Sequence, residues 1–227
     1  MPYRFHLQGK TLVLIDWANV FNWTRGESNE IDPKDLYTYL RSYPQVDRIC
    51  LFAGEDDHPK SREFLDECRK IGYEVISKPV KYVPTLVEKS PFWESLKEHV
   101  PEKKLRKLRN QPVLRRKADF DVELAKELLL HIDEYHTFVL FSGDGDYATV
   151  IEEIMKREKR VFIVSTERAL GKEFREMMDQ KVHPLFVDVN KLKDVVRFRS
   201  SRGNRRGGSK PQKGLFSRLL SGILGGK

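Results

Sequence analysis

The chain alternates short apolar runs with longer segments whose apolar positions recur every three or four residues. TLVLID (11–16), DRICLFAG (47–54), YEVISK (73–78), HTFVLFSG (136–143), KRVFIVS (159–165) and HPLFVDV (183–189) have the length and β-branched content of strands. PKDLYTYLRSY (33–43), HPKSREFLDECRKIG (58–72), DFDVELAKELLLHI (119–132), YATVIEEIMKRE (147–158) and RALGKEFREMMD (168–179) read as amphipathic helices. Asp32 followed by Pro33 is a helix-start signal, and Gly72 is a stop signal. In 119–132 the spacing of Val122, Leu124, Ala125, Leu128, Leu129 and Ile132 predicts the buried face. Strands alternating with helices predict an α/β fold, a mainly parallel sheet with helices on both faces. Such sheets bind ligands just outside the carboxyl ends of their strands. Asp16 and Asp144 both stand at such ends.

Two stretches break the pattern. Residues 78–117 mix prolines, aromatics and cations, with helical spacing near 91–99 and 101–109, and read as a basic insertion over the carboxyl edge. From Val195 the chain is rich in Gly, Ser, Arg and Lys, the composition of a flexible tail. Charge sharpens the division. The insertion carries +8 and residues 195–227 carry +9, so the remainder is net −9 in a chain of +8. An acidic body with basic appendages suggests an anionic partner held by the appendages.

Composition excludes several classes. No apolar run approaches the roughly 20 residues that span a bilayer. MPYRFHLQGK lacks a signal-peptide core, and Cys50 and Cys68 are too few for a disulfide framework, so a cytoplasmic location is expected. There is no GxSxG elbow and no P-loop. An aspartyl-nucleophile phosphatase needs a second acid two residues after the first, where Ala18 stands.

Carboxylates cluster beside three structural breaks: Asp16 in LIDWANVFN, Asp119 and Asp121 in KADFDVELAKELL, and Asp144 and Asp146 in SGDGDY. Asp16, Asp121 and Asp144 brought together would repel one another unless a cation lay between them, and hard oxygen donors suit Mg²⁺ or Mn²⁺. Asn19 and Ser142 are uncharged neighbours able to orient a carboxylate, a water or a phosphate oxygen. Each acid also has a local reading. Asp16 suits a turn cap, Asp119 a helix N-cap with Asp121 in the first turn, and Asp146 a cap of the helix near Tyr147. Trp17 and Trp23, on either side of Asn19, suit core packing better than base stacking.

LVLIDWANVFN, KADFDVELAKELL and FVLFSGDGDYATVIEEI, in that order on a βα framework, resemble the NYN domain, the LabA-like branch of the PIN-like nuclease superfamily. The resemblance covers about residues 10–190. It implies Asp16, Asp121 and Asp144 as a metal-binding core for Mg²⁺ or Mn²⁺, Asp146 as the second acid of the last motif, and Asn19 as the asparagine after the first aspartate. The implied activity is cleavage of RNA by a water that the metal activates. The long basic insertion and Asp119 depart from the family pattern.

Lys103, Lys104, Arg106, Lys107, Arg109, Arg115, Arg116 and Lys117, with Phe92 and Trp93 upstream, suit RNA, whose backbone is held by cations and whose bases stack on aromatics. A solvated helix face is the plainer reading of the same cations. In the tail, Leu215, Phe216, Leu219, Leu220, Ile223 and Leu224 share a helical face, so 213–227 suits a protein partner, self-docking or an anionic membrane surface. Three functions follow: a metal-dependent ribonuclease, a non-catalytic RNA-binding protein, and an adaptor localised by its tail.

Overall fold

A computed structural model describes residues 3–23, 29–90 and 93–200. β1 (Thr11–Asp16) runs directly into α1 (Trp17–Trp23), followed by β2 (Asn29–Ile31), α2 (Pro33–Arg41), β3 (Val46–Glu55), α3 (Pro59–Ile71) and β4 (Glu74–Pro79). The insertion supplies β5 (Lys81–Leu86), α4 (Trp93–His99), α5 (Glu102–Leu108) and β6 (Pro112–Lys117). The rest contributes α6 (Asp121–Leu130), β7 (Thr137–Phe141), α7 (Ala148–Lys156), β8 (Arg160–Ser165), α8 (Lys172–Met178), β9 (Leu185–Asp188) and β10 (Phe198–Ser200).

Six strands form one sheet in the order β4-β3-β1-β7-β8-β9, and every neighbouring pair is parallel. β1 lies inside it with all six residues buried, because each face packs on helices. Val13 and Ile15 share one core with Leu36 and Leu40 of α2 and Leu65 and Cys68 of α3. Leu12 and Leu14 share the other with Leu124 and Leu128 of α6, Ile151 and Ile154 of α7 and Phe174 of α8. The expected α/β architecture, with helices on both faces, is the one found.

Local signals act as their chemistry requires. Asp32 Oδ1 accepts from Lys34 N at 2.9 Å and caps α2, with Pro33 in its first turn. Gly72 closes α3 at φ 118°, in the left-handed region that glycine enters without a Cβ penalty. Cys50 and Cys68 are buried free thiols, each pushed up to about 12 by burial. Among the described residues no helix is long and apolar enough to cross a membrane.

The structure departs from the pattern in three places. α6 begins at Asp121, and only Leu124, Leu128 and Ile132 of the expected face are buried; Val122 is 78% exposed and Leu129 45%. The four-residue step from 124 to 132 follows one side of the helix, whereas 122 and 129 sit on the side turned from the sheet. α1 escapes notice because seven residues are too few to show a helical period. β5 and β6 escape because a two-stranded ribbon with both faces largely open needs no apolar alternation. Trp17 packs its ring on Phe64 at 5.0 Å and Trp23 lies in the core, as packing residues.

Candidate functional site

From β1 the chain moves outward through β3 and β4, then returns to β7 on the other side of β1 and continues to β8 and β9. The connection therefore reverses direction between β1 and β7, the place where open α/β sheets form a crevice at their carboxyl edge. Ile15 is level with Phe141, so Asp16 and Ser142 stand side by side at that edge. Asp16 is 8% exposed. Asn19 donates to it twice, from its backbone N to Oδ1 at 3.2 Å and from Nδ2 to Oδ2 at 3.1 Å. Asp16 thus braces the start of α1 while Asn19 fixes its orientation. Burial raises the Asp16 pKa; the Asn19 hydrogen bonds oppose the rise and the charge of Asp144 adds to it.

Asp144 follows β7 in a tightly held turn. Ser142 Oγ accepts from Asp144 N at 3.2 Å, and Asp144 Oδ1 accepts from Asp146 N at 3.2 Å. The capping oxygen of the turn Gly145–Tyr147 is therefore Asp144's, and Asp146 is exposed with no capping role at α7. Ser142 is fully buried, so its hydroxyl serves this turn and has no access to a phosphate. Gly143 of SGDGD is demanded by close approach to backbone, whereas Gly145 leaves room for the flexible Glu173 side chain. A Cβ on Gly143 would collide with Ala169 O and Ser165 Oγ, and one on Gly145 with the Glu173 carboxylate. Gly171 N donates to Gly143 O at 2.7 Å and clamps the loop from behind.

Asp121 is the first residue of α6, where the helix dipole favours negative charge. Burial and then Asp119 push its carboxyl up to about 6, and the charge of Asp144 adds to the rise. Asp119 is held down to about 2 by its hydrogen bond with Asp121 and by Lys117, whose Nζ lies 2.5 Å away. Asp119 stands one residue before the cap position of α6, which falls to Phe120 and has no side-chain bond, while the backbone of Asp121 also helps to hold the Asp119 carboxylate. Tyr147, 1% exposed, turns a buried hydroxyl towards Asp121 in a contact that falls short of a full hydrogen bond yet acts on both groups. Burial raises its pKa, and so do the charges of Asp16, Asp121 and Asp144. One hydroxyl therefore senses all three acids. Among the described residues, however, no three His, Cys, Asp or Glu side chains already form a group able to hold a metal ion. The acids share an edge without closing a ligand shell.

These shifts set a pH dependence. The folded pKa of Asp121 lies above its ordinary value, so its contribution to stability is full below about pH 4 and is lost as pH rises through about 6. Asp119 acts oppositely and loses its contribution as pH falls towards 2. In chelator, wild type is expected to lose stability relative to Asp121→Asn between about pH 4 and 6. Melting temperature against pH for the two proteins measures this difference, and parallel curves would contradict it.

The cations are distributed unevenly. Lys103, Lys104, Arg106, Lys107 and Arg109 are exposed on or just beyond α5, but Arg106 pairs with Glu102 at 2.6 Å and Arg109 pairs with Glu88. Arg115 and Lys117 are exposed on β6, which pairs in register with β5 so that Lys81 faces Lys117 and Val83 faces Arg115. Phe92, the Arg116 side chain and the tail segment 213–227 lie outside the described residues. Tyr147 and Lys81 went unnoticed in the sequence. Tyr147 looked like an ordinary core aromatic, and Lys81 gains meaning only through its cross-strand partner.

The NYN domain family matches residues 10–186. The chain belongs to the NYN domain family. NYN domains are PIN-like and nuclease-related, which agrees with acids gathered at the carboxyl edge of the sheet. The low amplitude and bright protein LabA of Synechococcus elongatus is 24% identical over 186 residues, spanning 81% of this chain and 86% of that protein. A crystal structure of a Vibrio parahaemolyticus protein of unknown function superposes with a TM-score of 0.57 at 21% identity, covering 86% of this chain and 99% of that one. That likeness concerns the fold alone.

Proposed function

We propose that this NYN protein is a metal-dependent ribonuclease in which Asp16, Asp121 and Asp144 hold Mg²⁺ or Mn²⁺. The observation that carries the reading is the placement of Asp16 and Asp144 at the neighbouring strand ends of the switch point, with Asp144 close enough for its charge to act on both Asp16 and Asp121. An all-carboxylate donor set fits a hard divalent cation, and Asp16 and Asp121, whose pKa values are raised first by burial and further by the charge of Asp144, are groups whose ionised form such a cation would stabilise. When bound, the cation supplies charge compensation and an activated water for phosphodiester hydrolysis. Asn19 keeps both Asp16 oxygens aimed, Ser142 holds the Asp144 turn, and exposed Asp146 receives water or substrate at the mouth of the site.

RNA is the proposed substrate, held by the insertion. The β5–β6 ribbon leaves the carboxyl end of β4 and returns to Asp119, so its base adjoins the acids. Lys81, Arg115 and Lys117 line it, beside Tyr82, Val83 and Leu114, which are 51%, 42% and 67% exposed. Cations next to apolar and aromatic surface suit a single strand with splayed bases. Lys103, Lys104 and Lys107 extend the basic surface on α5. For single-stranded RNA, Lys81→Ala and Arg115→Ala are each expected to reduce the salt slope of binding by about 0.7. Titrations at several salt concentrations measure the slope, and an unchanged slope removes the ribbon from the interface.

A second reading, RNA binding without turnover, draws on the absence among the described residues of a closed metal-holding group. An adaptor anchored through 213–227 to a protein or an anionic membrane rests on the tail composition alone. Two reduced, buried thiols suit a cytoplasmic setting. The deciding experiment is cleavage of an end-labelled RNA with Mg²⁺, with Mn²⁺ and with EDTA. Cutting that requires metal supports the nuclease, and RNA binding without any cutting favours the second reading.

A further inference from the structure

The hydroxyl of Tyr147 is one of the buried polar groups among the described residues that lack a hydrogen bond of ordinary geometry. It is shielded from water and makes no hydrogen bond of ordinary geometry, although it reaches the surroundings of Asp121 closely enough to influence that carboxylate. A buried donor without a partner destabilises a fold, and phenylalanine would fill the same space without that cost. The ring itself is well used, packed in the core shared by α6, α7 and α8. Nothing in this packing calls for the oxygen.

Backbone geometry explains why the oxygen points where it does. Tyr147 closes the one-turn segment that Asp144 begins, with Tyr147 N donating to Asp144 O at 3.4 Å. That turn is clamped from behind by Gly171 and hemmed in at Gly143 and Gly145, so its side chains have little freedom to turn away. Tyr147 and Asp121 line the same groove between α6 and α7, together with Asp146, Ala125, Leu129 and Val150. Asp16, Asp121, Asp144 and Asp146 can only accept hydrogen bonds once ionised. The Tyr147 hydroxyl is thus a donor turned towards the Asp121 acceptor.

We propose that Tyr147 is a positioning residue of the metal site: its hydroxyl donates to the Asp121 carboxylate and holds it in the ligating orientation when a divalent cation occupies the acidic edge. The inference rests on the metal-site reading above and assigns a partner to its orphaned donor. It also accounts for the open arrangement of the acids. In this structure Asp121 lies between Asp119 and Tyr147, and its contact with the Tyr147 hydroxyl falls short of a full hydrogen bond. With Asp121 turned to the edge, donor and acceptor meet. Groups that orient a metal ligand in this way typically change metal affinity by roughly 10–100-fold when removed.

The test is Tyr147→Phe in the full-length protein, read by thermal melting in EDTA and across titrations of Mg²⁺ and of Mn²⁺. A cation that binds the folded state raises the melting temperature in a concentration-dependent way, so the titration reports affinity without reference to catalysis. In EDTA the variant should melt at or above the wild-type temperature, because the unpaired hydroxyl is gone. Its metal-induced rise should need roughly 10–100-fold more cation. RNA binding in EDTA should be unchanged. A variant that melts higher in EDTA and responds to metal like wild type makes the hydroxyl a structural accident and overturns the inference. A variant that melts well below wild type in EDTA does the same, since the oxygen then has a partner in the metal-free fold. A wild type indifferent to both cations removes the metal site itself, a failure distinct from either.

Discussion

Asp16→Asn and Asp144→Asn are each expected to reduce metal-dependent RNA cleavage by roughly 10²–10³-fold or more, because each removes a negative ligand from the group that would hold the cation, and the cation is what compensates the charge of the reacting phosphodiester. Neither change should unfold the protein. Asp16 is buried with its pKa raised, so neutralising it removes a desolvated charge and its repulsion with Asp144. Asn at 16 keeps one acceptor for Asn19, and Asn at 144 keeps an acceptor for Asp146 N. Activity and stability should therefore move in opposite directions in Asp16→Asn, with melting in EDTA at or above wild type. A structural cap would behave otherwise and lose stability with its charge. The measurement is cleavage of end-labelled RNA by purified variants alongside their melting curves. Cutting by both variants at the wild-type rate would show that these acids serve only the turns they brace.

Gly143→Ala is expected to damage the fold and the site together. Its Cβ would enter space held by Ala169 O and Ser165 Oγ, and the first of these is backbone that cannot rotate aside. Relief requires moving the loop that carries Asp144 or the segment behind it, which also strains the Gly171 N to Gly143 O bond. Overpacking of this kind costs about 1–3 kcal/mol. The functional loss should be larger than that figure suggests, since a displacement of about 1 Å in a catalytic group can cost 10²-fold in rate. Urea denaturation and the cleavage assay on the same preparation separate the two effects. Wild-type stability with wild-type cleavage would mean that the loop shifts freely and that its close packing does not set the position of Asp144.

Much of this arrangement was legible in the sequence. The sheet strands announce themselves because a parallel strand buried on both faces must be apolar throughout, as TLVLID and TFVLF are. The site acids follow from the same logic. A strand ends where its apolar run ends, so an aspartate at that point stands at the carboxyl edge, and the alternation of strands and helices makes that edge the binding edge. Asp16 and Asp144 are positioned in this way by the sequence, whereas Asp121 opens a helix and enters through the resemblance of its motif. Asp119 and Asp146 were harder, because a carboxylate near a helix start is equally a cap or a ligand. Contacts decided that Asp119 pairs with Lys117 and that Asp144 supplies the capping oxygen.

By itself, then, the sequence determined the α/β class, the strand-end placement of Asp16 and Asp144, and the separation of an acidic body from basic appendages. These are one-dimensional properties, set by local periodicity and by the order of residue types. Tertiary structure alone decided the order of strands in the sheet and hence that β1 and β7 are neighbours. It alone paired Lys81 with Lys117, buried the Ser142 hydroxyl behind the Asp144 turn, and turned the Tyr147 hydroxyl towards Asp121. Each joins residues far apart in the chain or depends on which way one side chain points. Register and packing set those relations, and no local pattern encodes them.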